Sequence, residues 1–580
     1  MTLPFVVLLA VMPFDWAPIG PERGSVTAIA LGFPELAGTA QGRVFQRTSG
    51  SWVPAADHDA PIRDIRMAGS DQWVHAGGNL YRSGRHVASE VTGFAIAPSN
   101  ENLVYASTAG AILVSVDRGA TFQSRPGGAL SIAVDAGDAS TVWVVRANGA
   151  VEKSIDGGAT WTRAAIAEPI RRIEAHPRRP SVAYAIGDDG VGLRTTDGMT
   201  WTKVYYLTGR LYFEPDDDRA FYAVDDAGRL FHSDDDGDWL GVVHGGPLLS
   251  LAIDGDGSLV AGFREQGVLR SRDGGNTWEA ERSGLVAAEI HTLAASPDGN
   301  VVYAGSVNSM FRSTNGGATW EPVFTLRLLP GPFRTISIDP ANPDRVWIGA
   351  GVSLWYTGDG GVHFNRLFWL PEKEPQSVTA TAFDPADSRS ILILMSQGFF
   401  RLDSEPLHLT DLTPPHEPTD RFDVLAVSAT AGIWIGGQRN GAALLFHSMD
   451  GGRTWTDLSA RVGGAAMTAL HLDRRLNALV AGTADGSLLR SGDRGITWQR
   501  SVQKLPGAVT SLATDGSLLF AAANGVYASH DGLGWTLVSG SLRAEPVTAL
   551  SSSAPVFAGT AGAGVFVQRA ASPRSRAVRR

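Results

Sequence analysis

Hydrophobic and polar positions alternate in short bursts along this chain, and the clearest copy runs from His291 to Val323. Residues 291–296 (HTLAAS) alternate with a period of two, which predicts an inner strand. Pro297-Asp298-Gly299-Asn300 predicts a tight turn, and 301–306 (VVYAGS) a second strand. A third strand over Met310–Ser313 leads into a Gly-rich turn and a short outer strand beginning at Thr319-Trp320. The unit reads as an up-and-down sheet of four short strands.

The unit recurs. Its marker is the turn before the outer strand, as in SIDGGATW at 154–161, and about ten copies end at Phe122, Trp161, Trp201, Trp239, Trp278, Trp320, Phe364, Trp455, Trp498 and Trp535. These aromatics lie roughly 37 to 45 residues apart, except across one double-length gap between Phe364 and Trp455. That period matches a four-stranded propeller blade. Units without the marker read as blades at 26–53, 62–87, near 378–409 and at 547–567. The last lacks an outer strand, which the stretch around Asp15-Trp16 could supply from the other end of the chain; alternatively that stretch closes the first ring.

About fourteen blades exceed what one ring holds. The expectation is an all-β fold of two tandem β-propellers with about seven four-stranded blades each, the boundary falling near 283–288. The chain then divides into an N-terminal apolar segment with a possible ring-closing strand (1–24), a first propeller (25–285), a second (286–568) and a basic disordered tail (569–580).

An Asp, two glycines and a hydroxyl in eight residues also suit a metal loop or a phosphate cradle. A site occurs once, whereas scaffolding recurs, so the marker is read as structural. The Asp accepts backbone N–H bonds, the glycines reach positive φ, the Thr hydroxyl closes the loop and the Trp packs between blades. The residues assigned this role are Asp117, Asp156, Asp197, Asp273, Asn315, Asp359, Asp450, Asp493 and Asp531. The pattern S-x-D-x-G-x-T-W resembles the Asp-box (BNR) repeat. That repeat occurs in sialidases, sortilin-type receptor domains, xyloglucanase-like glycoside hydrolases with two seven-bladed propellers, and photosystem II assembly factors.

The resemblance implies that function sits away from the Asp boxes, in the loops joining blades and those between second and third strands. Sialidases carry an Arg-Ile-Pro motif and set three arginines on a carboxylate; the nearest strings here are Arg63-Asp64-Ile65-Arg66 and Arg171-Arg172-Ile173-Glu174. Xyloglucanase-like enzymes carry a catalytic Asp in a Thr-Asp-x-Gly-Gly loop of the first blade, where this chain reads Thr39-Ala40-Gln41-Gly42-Arg43. The acid is missing there, and inverting hydrolysis needs two carboxyl groups about 6.5 to 9.5 Å apart. Sortilin-type domains are followed by a cysteine-rich module, and this chain has no cysteine.

Composition narrows the picture further. A net charge of −10 opposes a global nucleic-acid footprint, and the absence of cysteine removes disulfides and thiolate chemistry. The apolar run Leu3–Met12 is too short to span a bilayer, so no integral membrane span is expected; export to the periplasm or outside is the compartment it favours. No metal site and no cofactor are expected, and the chain is read as a monomer.

One stretch departs from the repeat. Asn365 to Pro375 (NRLFWLPEKEP) reads as a long inter-blade loop with two aromatics and two acids. Phe368, Trp369 and Arg366 are its ligand-binding candidates, and Glu372 and Glu374 the only catalytic ones, no residue being assigned catalysis outright. The competing reading packs the rings over the rim and leaves the acids solvated. Pro414 to Arg421 reads as a stiff connection rather than a His/Asp site. Asp254-Gly255-Asp256-Gly257-Ser258 and Glu214 to Asp218 fall in hairpin turns by repeat register, and Gly559 to Gly564 matches another turn, not a dinucleotide loop. The leading functional expectation is a non-catalytic scaffold binding a protein or polysaccharide partner. The alternative is a polysaccharide-acting hydrolase with carboxylates between the propellers.

Overall fold

The computed structural model describes residues 14–188, 190–204, 209–235, 241–244, 247–325, 333–369, 377–404, 407–540, 542 and 545–570. Among them are fourteen four-stranded antiparallel sheets and one short helix, Ser459–Val462. The protein is all-β, built as two tandem β-propellers of seven blades. The chain forms two compact units, 22–287 and 288–580 together with 1–21. The first unit holds blades 1 to 7 (26–57, 62–88, 91–126, 131–163, 170–204, 210–244 and 248–280). The second holds blades 8 to 14 (292–325, 333–369, 378–411, 420–457, 467–500, 511–537 and 547–570).

Blade 8 has the four strands expected, as Thr292–Ala295, Val302–Gly305, Ser309–Ser313 and Glu321–Thr325. Its outer strand begins after Trp320, not at Thr319. Thr319 is still held inside the turn, its N–H donating to Asn315 Oδ1 at 2.9 Å, and ladder pairing starts only with Arg312 opposite Glu321. Blades 1 and 2, which lack the marker turn, join their last two strands by two-residue hairpins instead. Ser49-Gly50 and Ser83-Gly84 all have positive φ there, as the right-handed strand twist requires.

The cores lie between blades, where side chains from neighbouring sheets interdigitate. Ile62, Ile65 and Val74 of blade 2 pack on Ala28, Leu36 and Val44 of blade 1, and the same arrangement repeats around each unit. In the first unit it closes when Val26, Phe45 and Trp52 of blade 1 meet Val260 and Val268 of blade 7. Trp52 is 1% exposed and its indole N–H donates to the Glu281 carbonyl at 2.6 Å. Gly24 bridges Ala287 in parallel at φ 155°, where a Cβ would stand 2.6 Å from the Ala287 carbonyl oxygen.

In the second unit, Ile290 and Val302 of blade 8 meet Phe557 and Val565 of blade 14. Blade 14 takes its outermost strand from the far end of the chain: Phe14–Gly20 runs antiparallel to Val565–Ala570. Trp16 anchors it, 1% exposed, with its indole N–H on the Val538 carbonyl at 2.9 Å. A sheet edge that would otherwise be open is thereby paired. Residues 14–20 thus belong with the last blade, while 22–24 belong with the first unit.

Candidate functional site

The first strand of most blades opens with a β-bulge, which inserts one residue and re-aims its side chain. In blades 1, 3, 10, 12 and 14 that residue is a threonine, and in all of these but blade 10 its hydroxyl donates to a carbonyl entering the next blade. Thr27 reaches Ile62 O at 2.6 Å, Thr92 reaches Ala129 O at 2.6 Å, Thr468 reaches Val509 O at 2.7 Å, and Thr548 reaches Ile290 O. Blades 2, 5 and 9 place Arg63, Arg171 and Arg334 there instead. In blade 2 the stitch to the next blade is made by the buried His75, whose Nε2–H donates to Val91 O at 3.0 Å. Burial holds that imidazole below its ordinary pKa of 6.5 despite the carbonyl bond, so it serves as a neutral donor.

Arg63 opens onto a cavity of about 280 Å³ bounded by first strands of blades 2 to 6, with Asp64, Arg66, Arg172, Glu174 and Arg210 in its wall. Arg210 of blade 6 meets Asp64 of blade 2 at 2.7 Å, and Arg66 meets the same carboxylate at 3.0 Å. Blades 2 and 6 are not neighbours in a seven-bladed ring, so this pair spans its centre. A second cavity of about 290 Å³ shares Asp64, Arg66, Glu174 and Arg210 with the first, which makes the ion pair the partition between them. Burial raises the Asp64 pKa, but Arg210 and Arg66 outweigh it and hold the carboxyl at about 2. Asp64 in turn raises Arg210. The carboxylate at the centre of the ring is therefore always charged and has no proton to give near neutral pH.

The rest of the cavity is cationic. Arg66 stacks over the Phe94 ring at 4.8 Å, Arg172 stands 3.6 Å from Glu174, and Arg171 pairs outward with Asp188 at 2.8 Å. Arg63 is exposed and has no ion pair among the described residues. Five arginines and two carboxylates thus line the cavity, Arg171 being held from outside by Asp188 and Asp226, in a chain whose net charge is −10.

The second unit has larger and more apolar cavities toward the ends of its first strands. Two cavities of about 710 and 1020 Å³ share Val427 and Leu472, with Leu470 in the first and Ile338 and Phe383 in the second. His471 lines the first; burial lowers its pKa to about 4 against the opposing charge of Asp473, and its Nε2 has no hydrogen-bond partner among the described residues. The bulge position of blade 11 holds Asp423, whose carboxyl is raised by burial, opposed by Arg421 and Arg334.

No protein-family model matches the chain, and no curated protein matches its sequence. Solved structures do. An ancestral GH74 enzyme superposes with a TM-score of 0.74 at 15% identity, over 96% of this chain and 99% of its own. The GH74 xyloglucanase from Xanthomonas campestris gives 0.61 at 15% identity, over 96% and 100%. PorZ, a surface component of the type-IX secretion system of Porphyromonas gingivalis, gives 0.67 at 14% identity, over 95% and 86%. The likeness is one of fold. These neighbours are tandem β-propeller proteins.

The marker turns share one geometry. In 154–161, Ser154 Oγ donates to Asp156 Oδ1 at 2.7 Å, while Thr160 gives its N–H to Oδ1 at 2.9 Å and its hydroxyl to Oδ2 at 2.6 Å. Asp117, Asp273, Asp450 and Asp493 repeat this, and the threonine hydroxyls and N–H groups hold each of these carboxyls at about 2. Asp197 and Thr200 close a turn one residue shorter, Asp359 bonds His363 Nδ1, and Asp531 takes two backbone N–H groups. Asn315 closes its turn by donating an amide N–H to Thr319 Oγ1 at 2.8 Å. Every carboxylate in this set is committed to its own turn.

Within the stretch expected as a long loop, the described residues form a strand. Asn365–Trp369 is the outer strand of blade 9, with Phe368 opposite Leu354 and Trp369 opposite Ser353, because the alternation of the unit continues past Phe364. Arg366 is exposed, its guanidinium 5.9 Å from the Trp355 ring centre. Glu372 and Glu374 lie outside the described residues, as do 1–13 and 571–580. Thr39 is buried at a strand end, and Gly42 in the following turn has φ 89°. In 414–421, Asp420 is fully buried and takes Arg439 through two bonds of 2.7 Å, a brace rather than an exposed acid. Asp254 and Asp218 are likewise paired, with Arg270 and Arg178.

Sequence reading passed over the arginine cavity. The strings Arg63 to Arg66 and Arg171 to Glu174 stand out in the sequence only beside the sialidase motif they do not match, and Arg210 does not stand out at all. The signal was available only in part: in register, these charges fall where blades 1 and 3 carry Thr, Ala or Gly at the start of the first strand.

Proposed function

We propose that this protein is a non-catalytic Asp-box β-propeller scaffold that binds a protein or glycan partner through its inter-blade face. The observation that carries this reading is Asp64. Asp64, the carboxylate that joins blades 2 and 6 across the first ring, is doubly paired to arginines and ionised far below neutrality, whereas a glycosidase acid must carry a proton at working pH. The marker-turn aspartates are similarly spent on their own backbone. Incubation with a panel of neutral and acidic polysaccharides is the test: the reading expects retention of polymer with no new reducing ends, and turnover would overturn it.

The second reading is a polysaccharide-acting hydrolase of the xyloglucanase-like kind, favoured by the names of two structural neighbours, both GH74 enzymes. It would draw its acids from Glu372 and Glu374. Turnover by the wild type that a Glu372→Gln, Glu374→Gln double variant loses would establish it.

A further inference from the structure

Arg63 and Arg171 stand at a position whose ordinary occupant is visible elsewhere in the same molecule. Four other blades put a threonine at this bulge and use it to stitch one blade to the next. An arginine there cannot make that short hydroxyl bond, so blades 2, 5 and 9 give up this device, and in the first ring both such arginines line one cavity. Blade 2 recovers the stitch through His75. Local rules broken in this way, with a compensating group nearby, mark positions kept for something other than folding.

What those arginines face decides the ligand. The cavity holds an excess of guanidinium groups, suited to bind planar oxyanions through paired N–H bonds. It also holds Glu174, and Asp64 closes its floor. A ligand that offered only acceptors would meet these carboxylates as like charges, whereas one with hydroxyl donors beside its anion would satisfy both. At about 280 Å³ the space lies near the lower end of small-molecule sites, enough for one small residue entering end-on.

We infer that the first ring binds an acidic sugar: the carboxylate of a uronic-acid residue against Arg63, Arg171 and Arg172, its hydroxyls toward Glu174. This rests on the binding reading above and names its ligand class. Arg66 and Arg210 stay with Asp64 and shape the floor. Because Arg63 and Arg171 are exposed, the attraction is screened by salt.

The experiment is titration calorimetry on the full chain with four probes: a uronic-acid oligosaccharide, the matched neutral oligosaccharide, a sulfated oligosaccharide and polyglutamate. Three proteins are compared: the wild type, an Arg63→Thr, Arg171→Thr double variant that installs the residue found in blades 1 and 3, and Arg334→Thr in the second unit as a control for bulk charge. The expected result is binding of the uronic-acid probe that salt weakens, that the double variant loses by about tenfold or more with an unchanged unfolding temperature, and that Arg334→Thr leaves intact. Equal binding of the neutral probe, insensitive to the double variant, would overturn the inference and leave glycan binding standing. Preference for the sulfated probe would show the wrong oxyanion. Arg63-dependent binding of polyglutamate alone would replace the sugar by an acidic protein partner. Retention of none of the four would also overturn it, whereas the binding reading itself falls only to polysaccharide turnover.

Discussion

The two rings are built by the same rules and differ at their centres. At the position following the bulge, the first ring carries Ala28, Asp64, Gly93, Arg172 and Ser250, and the second Thr335, Ala380, Val424, Ala469 and Ala549. The first is therefore partitioned by an ion pair and lined with arginines. The second has its wider apolar space farther along the first strands, beside Leu470 and Leu472. Ala28, Val424, Ala469 and Ala549 pack into the inter-blade cores, whereas Asp64 and Arg172 line the cavity, so this position takes either character. A repeat scaffold sets where such variation is tolerated and leaves its content free.

The comparison breaks most sharply at Asp64. Asp64→Ala leaves Arg66 and Arg210 without their partner, at an expected cost of about 3 kcal/mol to the first unit, read as an earlier transition in urea unfolding. The Asp64→Leu, Arg210→Met double variant should recover most of that loss, because an apolar pair of similar volume replaces the bridge. If the single variant costs nothing, the partition is not what holds this channel.

Acid should act on the second ring at higher pH than on the bridge. His471 has a folded pKa of about 4 against an ordinary 6.5, so the unfolded chain binds the proton first. Its share of stability is complete above about pH 6.5 and is lost as pH falls toward 4, by about 2 kcal/mol. Urea unfolding at pH 7 and pH 4.5 should show this fall in the wild type and a smaller one in His471→Leu. Asp64 loses its contribution in the same direction but at lower pH, as pH falls from 3.8 toward 2.

The smallest effects should be equal in the two rings. Asp156→Asn and Asp450→Asn keep the Oδ1 acceptor and substitute an amide that can donate to the threonine hydroxyl, as Asn315 does. Each should lower the melting temperature less than the matching alanine variant. Unequal responses would show that the turns, and not only the channels, distinguish the rings.

Much of the fold was legible along the chain. The marker turns recur at a fixed period because each blade needs one, and their bonds lie within five residues, as between Ser154, Asp156 and Thr160. The candidate site was not legible in the same way. The Asp64 to Arg210 pair spans 146 positions, and nothing in either string announces the other. The stretch after Phe364 misled for a related reason: its aromatics and acids suggested a loop, yet Asn365–Trp369 pairs with Ser353–Thr357.

By itself the sequence determined the strand period, the four-stranded unit and the turn chemistry, because these rest on neighbours a few residues apart. Only the tertiary structure decided that Phe14–Gly20 completes the last blade and that charges from blades 2, 5 and 6 share one cavity. Ring closure brings together groups far apart in the chain, and the repeat, being nearly the same in every blade, carries no label saying which will face which.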